Sequence, residues 1–477
     1  MFRRWQITGL SKNVHRNQIW QLLLCLMMYF PLAVEAGSDP LSTEKYIEPG
    51  MFPQTADSTR CNRERINQPL TLADVVDLAL CNNPQTRTLW INARTQAANV
   101  GIGMSAYLPT LSAQASESRN FSSAAGQTTN YNNRGVSLTA GYLLFDFGGR
   151  SGTLENAKQL LVAANATRDA TLQVNFLSAV QAYYTLLSAR ASVDALQVAE
   201  ASAKESFSAA EARYLAGVAT PVDKLQAQTA LSQARLNLIT AQGNVRTAQG
   251  TLANIMGFDA SVPFSLVPLP ESTPDPVVEQ DIGKLIEQAR RSRPDLLAAD
   301  AQIRAAEAQL TATRATGLPT VSLSASAGNQ NVSGSPNTNS SSIGVTLNVP
   351  LFTGMRNTYQ NRAAELQVEG KVAARDLLAN QVALDVWKAY QTMLTNSQSL
   401  IAAGDLVASA EQSERMTLGR YKAGVANMSI VDVLNAQSTL ASARQQRVTA
   451  LYNFKSSRLA LAQAIGQLDL TRLDAGN

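Results

Sequence analysis

Residues 81–116 read CNNPQTRTLWINARTQAANVGIGMSAYLPTLSAQAS, and residues 291–326 read RSRPDLLAADAQIRAAEAQLTATRATGLPTVSLSAS. Laid over each other, Pro84 meets Pro294 and Pro109 meets Pro319, both at an offset of 210 residues (294 − 84) and with no gap between. Further on, RYLAGVATPVDKLQAQTALSQAR from Arg213 returns as RYKAGVANMSIVDVLNAQSTLASAR from Arg420. There the offset is 207 at the glycines (424 − 217) and 209 at the aspartates (432 − 223), so the second copy gains two residues in one turn. The chain is a tandem duplication of one long unit, and each half is expected to build the same structure.

The rest of the 477 residues falls around these copies. Residues 1–36 have the layout of an export signal: Arg3, Arg4, Lys12 and Arg16 precede an apolar run from Ile19 to Val34, and Val34-Glu35-Ala36 offers a small-residue cleavage site. A lipoprotein reading through Cys25 is the alternative, although that cysteine sits inside the apolar run. Removing 1–36 takes away four basic side chains and Glu35, so the formal charge falls from +4 to +1 (4 − 4 + 1), with no bias toward nucleic acid. The expected plan continues with an N-terminal periplasmic segment at 37–70, the first repeat at 71–257, a linker in an equatorial region at 258–280, the second repeat at 281–466 and a tail at 467–477. The signal also removes His15, the only histidine. Without imidazole, and without a GxSxG, P-loop, paired-glutamate or cysteine-rich pattern, the mature chain reads as neither an enzyme nor a cofactor or metal protein. Cys61 and Cys81 remain, and in an oxidising compartment they are expected to form one disulfide between the N-terminal segment and the first helix, two separate thiols being the alternative.

From about Ser151 to Ala216, and again from about Asn357 to Ala423, there is no proline and little glycine, so each stretch predicts one helix about 100 Å long. No single compact core covers such a helix, so it must lie along others. In the returning stretch Leu231, Ala234, Leu238, Ala241, Val245, Ala248, Leu252 and Ile255 keep a strict three-four spacing, the seam of a left-handed supercoil. Adding 209 gives Leu440, Ala443, Arg447, Ala450, Phe454, Ser457, Leu461 and Ala464, the same register with three polar or bulky exceptions.

Four further runs have period two. Leu111, Ala113 and Ala115 alternate with small polar residues, as do Val136, Leu138, Ala140 and Tyr142, then Val321, Leu323, Ala325 and Ala327, then Ile343, Val345, Leu347 and Val349. Strands near 109–117, 135–145, 319–328 and 342–350, apolar on one face and small and polar on the other, suit a membrane barrel with a wet lumen. The Ser/Asn/Gly/Thr-rich stretches Glu117–Arg134 and Gly328–Ser342 read as external loops. Tyr107, Tyr142, Phe145, Phe147 and Phe352 fall near the junctions, where an aromatic girdle would meet the interface. Four strands cannot close a barrel, and hydrocarbon tolerates no open edge, so several copies must share one barrel and arrange their helices as a hollow cylinder.

LTLADVVDLALCNNP near the mature N-terminus, YLPTLSAQAS and GLPTVSLSAS, LLFDFGGR and PLFTGMR, and the turns YLAGVATPVDKLQAQ and YKAGVANMSIVDVLNAQ resemble the TolC family of outer-membrane factors in content and order. The resemblance implies a homotrimer: a mixed α/β membrane protein with a 12-stranded outer-membrane β-barrel, four strands per chain, continuous with a long periplasmic α-helical barrel. It also implies contact with outer-membrane lipid, a periplasmic adaptor protein and an inner-membrane transporter, either ABC-type or proton-driven. The cysteine pair around LTLADVVDLAL resembles the CyaE-type toxin exporters, hence type I protein secretion; small-molecule or multidrug efflux is the alternative, and a soluble periplasmic coiled-coil scaffold is the alternative of another class.

Each hairpin reverses at a glycine, Gly217 or Gly424, and Pro221 suits the first turn of a returning helix. By resemblance these turns are the periplasmic tip. Asp223 and Tyr421 are then expected partners in the closing network, and Asp432 a member of an acidic constriction. Arg213, Gly217, Val218, Arg420, Gly424 and Val425 are expected to meet the adaptor. The alternative for both aspartates is that they favour the first turns of their helices through the macrodipole. Two departures from the family pattern stand out: Ala426-Asn427 where an arginine follows the second glycine, and Asn435 where a second acid follows Asp432.

Overall fold

A computed structural model describes residues 39–50, 63–124, 126–267, 281–425 and 428–468. The expected signal at 1–36, Cys61 and the pair Ala426-Asn427 lie outside the described residues. By contacts the chain divides into Met1–Tyr46, of which a short 3-10 turn at Thr43–Tyr46 is described, and Ile47–Asn477, which carries everything below.

The two halves are built from helices of identical length. The first half runs α1 Leu72–Asn82, α2 Pro84–Ser105, α3 Gly149–Leu215 and α4 Pro221–Ile255; the second runs α5 Ile282–Ser292, α6 Pro294–Ala315, α7 Arg356–Lys422 and α8 Ile430–Ala464. In order they measure 11, 22, 67 and 35 residues, twice over. Their starts are written locally: Thr71, Asn83, Thr220, Asp281 and Ser429 accept hydrogen bonds from first-turn N–H groups, and Pro84, Pro221 and Pro294 open their helices. α6 and the two long helices start without a side-chain cap, the long ones after left-handed residues Phe147-Gly148 and Gly354-Met355.

All eight seam positions of α4 are buried or half-buried, as the supercoil spacing predicts, and in α8 only Arg447 among the eight is exposed. α3 packs along α4 and α8, and α7 along α8, so the long helices lie side by side as a wall. A second layer covers part of it. Ile66, Leu70, Val75, Val76 and Leu80 close over Leu172, Phe176, Ala179 and Tyr183 of α3, with Leu252, Met256 and Leu266 completing the core. Backbone bonds from Leu70 to Ser265 and from Val267 to Leu70 fasten this belt. Leu285, Ala289 and Leu296 cover α7 in the same manner in the second half.

Where the returning helices end, the belt leaves no room for a side chain. Gly257, at φ 78°, would place an added Cβ 2.6 Å from the Asn82 carbonyl oxygen, and Gly466, at φ 73°, would place one 3.0 Å from the Ser292 backbone carbonyl. Gly217, at φ 74°, faces open space. Gly257→Ala is therefore expected to cost about 2–5 kcal/mol, strain plus overpacking, and Gly217→Ala only about 1–2 kcal/mol of strain. Thermal unfolding of the detergent-solubilised protein followed by circular dichroism checks the ordering; equal losses would show that the belt yields.

The strands are β1 Thr110–Ala124, β2 Gln127–Phe145, β3 Thr320–Val332 and β4 Thr338–Asn348, antiparallel in the order β1-β2-β3-β4. The expected loops are corrected here. Residues 117–124 and 127–134 pair one to one up to a turn at Gly126, φ 78°, and the ladder between β3 and β4 likewise reaches Gln330 and Thr338. Ser, Thr and Asn on both faces look like a loop in composition, yet they suit a ribbon whose two faces both meet water.

Register turns the alternation into a surface. Leu111, Ala140, Ala325 and Ile343 form one cross-strand row, and Ala113, Leu138 and Ala327 the next, while Ser112, Thr139, Ser326 and Ser342 share a row on the other face. Toward the helices this face is apolar across all four strands, and on β4 it ends at Ser341, the partner of Ala327; it is exposed, with Leu111 65% and Ile343 78% accessible. On that face the ion pair Arg134–Glu117, 2.8 Å apart, follows the last apolar row. Among the described residues no helix is long and apolar enough to cross a membrane.

Candidate functional site

The hairpin tips assemble from short-range rules first. At the end of α3 the Val218 N–H donates to the Arg213 carbonyl at 3.0 Å around left-handed Gly217; at the end of α7 the Val425 N–H donates to the Arg420 carbonyl at 3.2 Å around Gly424. This is the glycine-ended helix stop in both halves. The returning helices start with capping boxes. The Asp223 carboxylate accepts from the Thr220 N–H and hydroxyl, both at 2.9 Å, and the Asp432 carboxylate accepts from the Ser429 N–H at 2.9 Å. Both candidate gate aspartates therefore hold the first turns of their helices.

Tyr421 lies elsewhere. Its ring is 8% exposed, packed with Ala210 of α3, Ala227 of α4, and Ile430 and Val433 of α8. The Arg213 guanidinium stacks over it, 4.7 Å from the ring centroid. Among the described residues no hydrogen bond joins Asp223 to Tyr421 within one chain. The structure instead brings together Arg213, expected at the docking surface, and Tyr421, expected in the gate. Two further contacts join the hairpins nearby: Lys422 to Glu205 at 3.1 Å, and the nearly buried Ser206 hydroxyl donating to Gln437 at 3.0 Å. The exposed ion pairs are worth little singly, so the apolar cluster and the stacked ring carry the tie.

Gly217, Val218, Gly424 and Val425 lie at the turns as expected, with Val218 66% exposed, and Arg420 reaches solvent. Sequence reading missed Leu215, Val222 and Leu225, which leave an apolar surface on the first tip. Their signal was available: three large apolar residues within a short turn that has no core beneath it. Cys81, on α1, is disulfide-bonded.

The wall between tip and sheet holds an uncharged cavity. A cavity of about 620 Å³ across α3, α4 and α8 is lined by Gln181, Tyr184, Ser188, Asn244, Gln445 and Tyr452 among other uncharged residues. Burial pushes the Tyr184 phenol up to about 12, so it stays neutral at any physiological pH. At the opposite end Phe145 and Phe147 meet edge to face with centroids 4.7 Å apart, and Arg150 stacks on Tyr107, which gathers part of the expected aromatic girdle at the strand ends.

Comparison with known proteins agrees with this geometry. The profile of a family described as outer membrane efflux protein matches residues 75–258 and 285–467, one match to each repeat. Protein CyaE of Bordetella pertussis is 30% identical, over 95% of this chain and 96% of its own length. The outer membrane efflux protein BepC of Brucella suis is 28% identical, over 84% of this chain and 87% of its own. Among solved structures, a membrane protein from Pseudomonas aeruginosa superposes with a TM-score of 0.73 at 25% identity, covering 83% of this chain and 93% of that one. The outer-membrane channel OprN superposes with a TM-score of 0.74 at 20% identity, covering 88% and 93%.

Proposed function

We propose that this chain, which belongs to the outer membrane efflux protein family, is one protomer of a trimeric duct for type I protein secretion. Membership makes it an outer-membrane channel of a tripartite export system; the trimer, the cargo and the partners are the finer reading. The carrying observation is the four-stranded sheet whose one face is apolar over the half nearer the helices and whose two edge strands are unpaired. Hydrocarbon requires every strand edge to be paired, so the sheet must close with copies of itself, and three copies give twelve strands. The same operation sets three walls of long helices around one lumen.

In this reading the tips are the periplasmic entrance. The tie of Arg213 to Tyr421 holds the two hairpins of a chain together, the capped aspartates Asp223 and Asp432 stand at the mouth, and the exposed turns at Gly217 and Gly424 meet a periplasmic adaptor. Cys61 is assigned as the partner of Cys81. Choice of cargo belongs to the inner-membrane pump, taken here as ABC-type. The match to Protein CyaE over nearly all of both chains supports protein secretion. The match to the outer membrane efflux protein BepC supports efflux as the second reading.

Purified protein is expected to insert into planar bilayers as discrete channels, and graded crosslinking to give bands of one, two and three chains and no more. A soluble monomer without conductance would overturn the duct. For cargo, a strain lacking the chain is expected to lose a large protein from its medium while keeping its drug susceptibility; the reverse pattern supports efflux.

A further inference from the structure

Among the described strand residues the only charged side chains are Glu117, Arg119 and Arg134. All three stand on one face of the sheet, the face of Leu111, Leu138 and Ile343, and all three come after its apolar rows at the end away from the helices. Along β2 the apolar stretch of that face runs from Phe145 to Val136, nine residues (145 − 136) with a bulge at its foot. At about 3.4 Å per residue and a strand tilt of about 40°, it rises roughly 23 Å, close to the ~25 Å lipid-facing band of an outer-membrane barrel. Arg134 is the next residue on that face, so its guanidinium comes where hydrocarbon gives way to head groups.

The cluster is arranged to accept an anion. Glu117 Oε1 accepts from Arg134 Nε at 2.8 Å and lies 2.8 Å from Nη2, which occupies one edge of the guanidinium and leaves the end-on edge open. Arg119 pairs with Asn132 and Glu117 with Arg134, which makes the two arginines diagonal neighbours on adjacent strands. Such neighbours stand about 7–8 Å apart, near enough for both side chains to reach one phosphate. Arg119 has no ion pair among the described residues; its guanidinium lies 5.3 Å from the centroid of the Phe121 ring, which is itself 69% exposed. Asn132 is exposed between them and adds an amide donor. Two guanidinium groups against one carboxylate leave the cluster at +1 per chain (2 − 1).

The second repeat shows that the strand geometry does not require these charges. Positions equivalent to Glu117, Arg119 and Phe121 are Ala327, Asn329 and Asn331 (offset 210), and Ser341 is equivalent to Arg134 (offset 207). Ala327 pairs with Ser341 just as Glu117 pairs with Arg134, and Asn329 donates to Asn339 at 2.7 Å. Neutral side chains are enough to keep that hairpin wet, so the charge on the first hairpin calls for a different reason.

We propose that Arg119, Asn132 and Arg134 form one binding site per chain for a phosphate of a phosphorylated saccharide lipid in the outer leaflet. The lipid's acyl chains continue down the apolar face at Val136 and Leu138, its phosphate bridges the two guanidinium groups, and Phe121 holds the Arg119 fork at the surface. The inference rests on the duct reading only for which end of the sheet faces outward.

The test titrates the detergent-solubilised protein with lipid A carrying its phosphates and with the same lipid stripped of them, bound lipid being counted by native mass spectrometry. The phosphorylated lipid is expected to bind at one per chain and about tenfold more tightly, the worth of two exposed charge pairs. R119A together with R134A should abolish that preference. R290A together with R291A, which removes the same charge from exposed positions on α5, should leave it intact. Equal affinities for the two lipids, or equal losses in the two double variants, would overturn the site. Displacement of the lipid by millimolar inorganic phosphate would overturn it too, as it would show a site for a free anion. Conductance of the same preparations separates the failures: channels without a lipid preference reject the site alone, and absent channels reject the duct.

Discussion

Leu138→Arg is expected to keep the protein out of the outer membrane. Leu138 lies mid-strand on the apolar face, between Ala113 and Ala327, and is 46% exposed in one chain. An arginine at the mid-plane of a barrel's lipid face costs about 2–4 kcal/mol, and three chains place three at one height, about 6–12 kcal/mol per trimer. That sum is comparable with the whole stability of an ordinary domain. Thr139→Arg, one residue away on the polar face, meets water in the lumen and is expected to insert while altering ion selectivity. Fractionation and heat-modifiable trimer gels distinguish the two. If Leu138→Arg assembles normally and Thr139→Arg does not, the faces are assigned the wrong way round and the barrel reading fails with them.

Much of this architecture is legible because it depends on period and repeat. The three-four spacing of α4, the two-residue alternation of the strands and the 210-residue offset each report a backbone geometry that all side chains in the element share. Legibility stops where the two copies use different side chains on the same backbone. Arg168 and Arg375 are equivalent, at an offset of 207, and the residues beneath them, Trp90 and Asp300, are equivalent at 210. In the first half Arg168 is fully buried, stacked 4.3 Å from the Trp90 ring centroid, bonded to Asp169 at 3.0 Å and to the Glu48 carbonyl at 2.9 Å. In the second half Arg375 is partly exposed and pairs with Asp300 at 3.1 Å. A cation on an indole under a covering irregular segment and a cation on a carboxylate in water are unrelated solutions, and alignment alone does not say which segment does the covering.

The tips divide in the same way. Thr220-Pro221-Val222-Asp223 and Ser429-Ile430-Val431-Asp432 carry the capping-box spacing openly, so the local role of both aspartates was readable from four residues. The stacking of Arg213 on Tyr421 joins residues 208 apart (421 − 213), and no local rule brings them together. It depends on how two hairpins lean on each other. The strand extensions past Glu117 and Gly328 failed for another reason: loops and two-sided wet ribbons draw on the same small polar residues, and only the pairing partner separates them.

Tyr421→Ala is expected to open the duct. Deleting a buried aromatic ring typically costs about 3–5 kcal/mol, and here the cost falls on the cluster that joins the first hairpin to the second. If two-thirds of it bears on the closed arrangement alone, about 2–3 kcal/mol, the ratio of closed to open shifts by about 30- to 150-fold. Single-channel recordings should then show sustained high conductance. Tyr421→Phe keeps the ring beneath Arg213 and should leave the low-conductance state in place, because among the described residues the ring supplies the contacts. Arg213→Ala removes a stacked cation worth about 1 kcal/mol and should shift the ratio only about fivefold. Asp223→Ala and Asp432→Ala each remove the returning half of a capping box, about 1 kcal/mol, and should lower thermal stability more visibly than they raise conductance. Should Asp223→Ala open the channel fully while Tyr421→Ala leaves it shut, the lock would lie in contacts between chains at the mouth, and the tie within each chain would be only a brace.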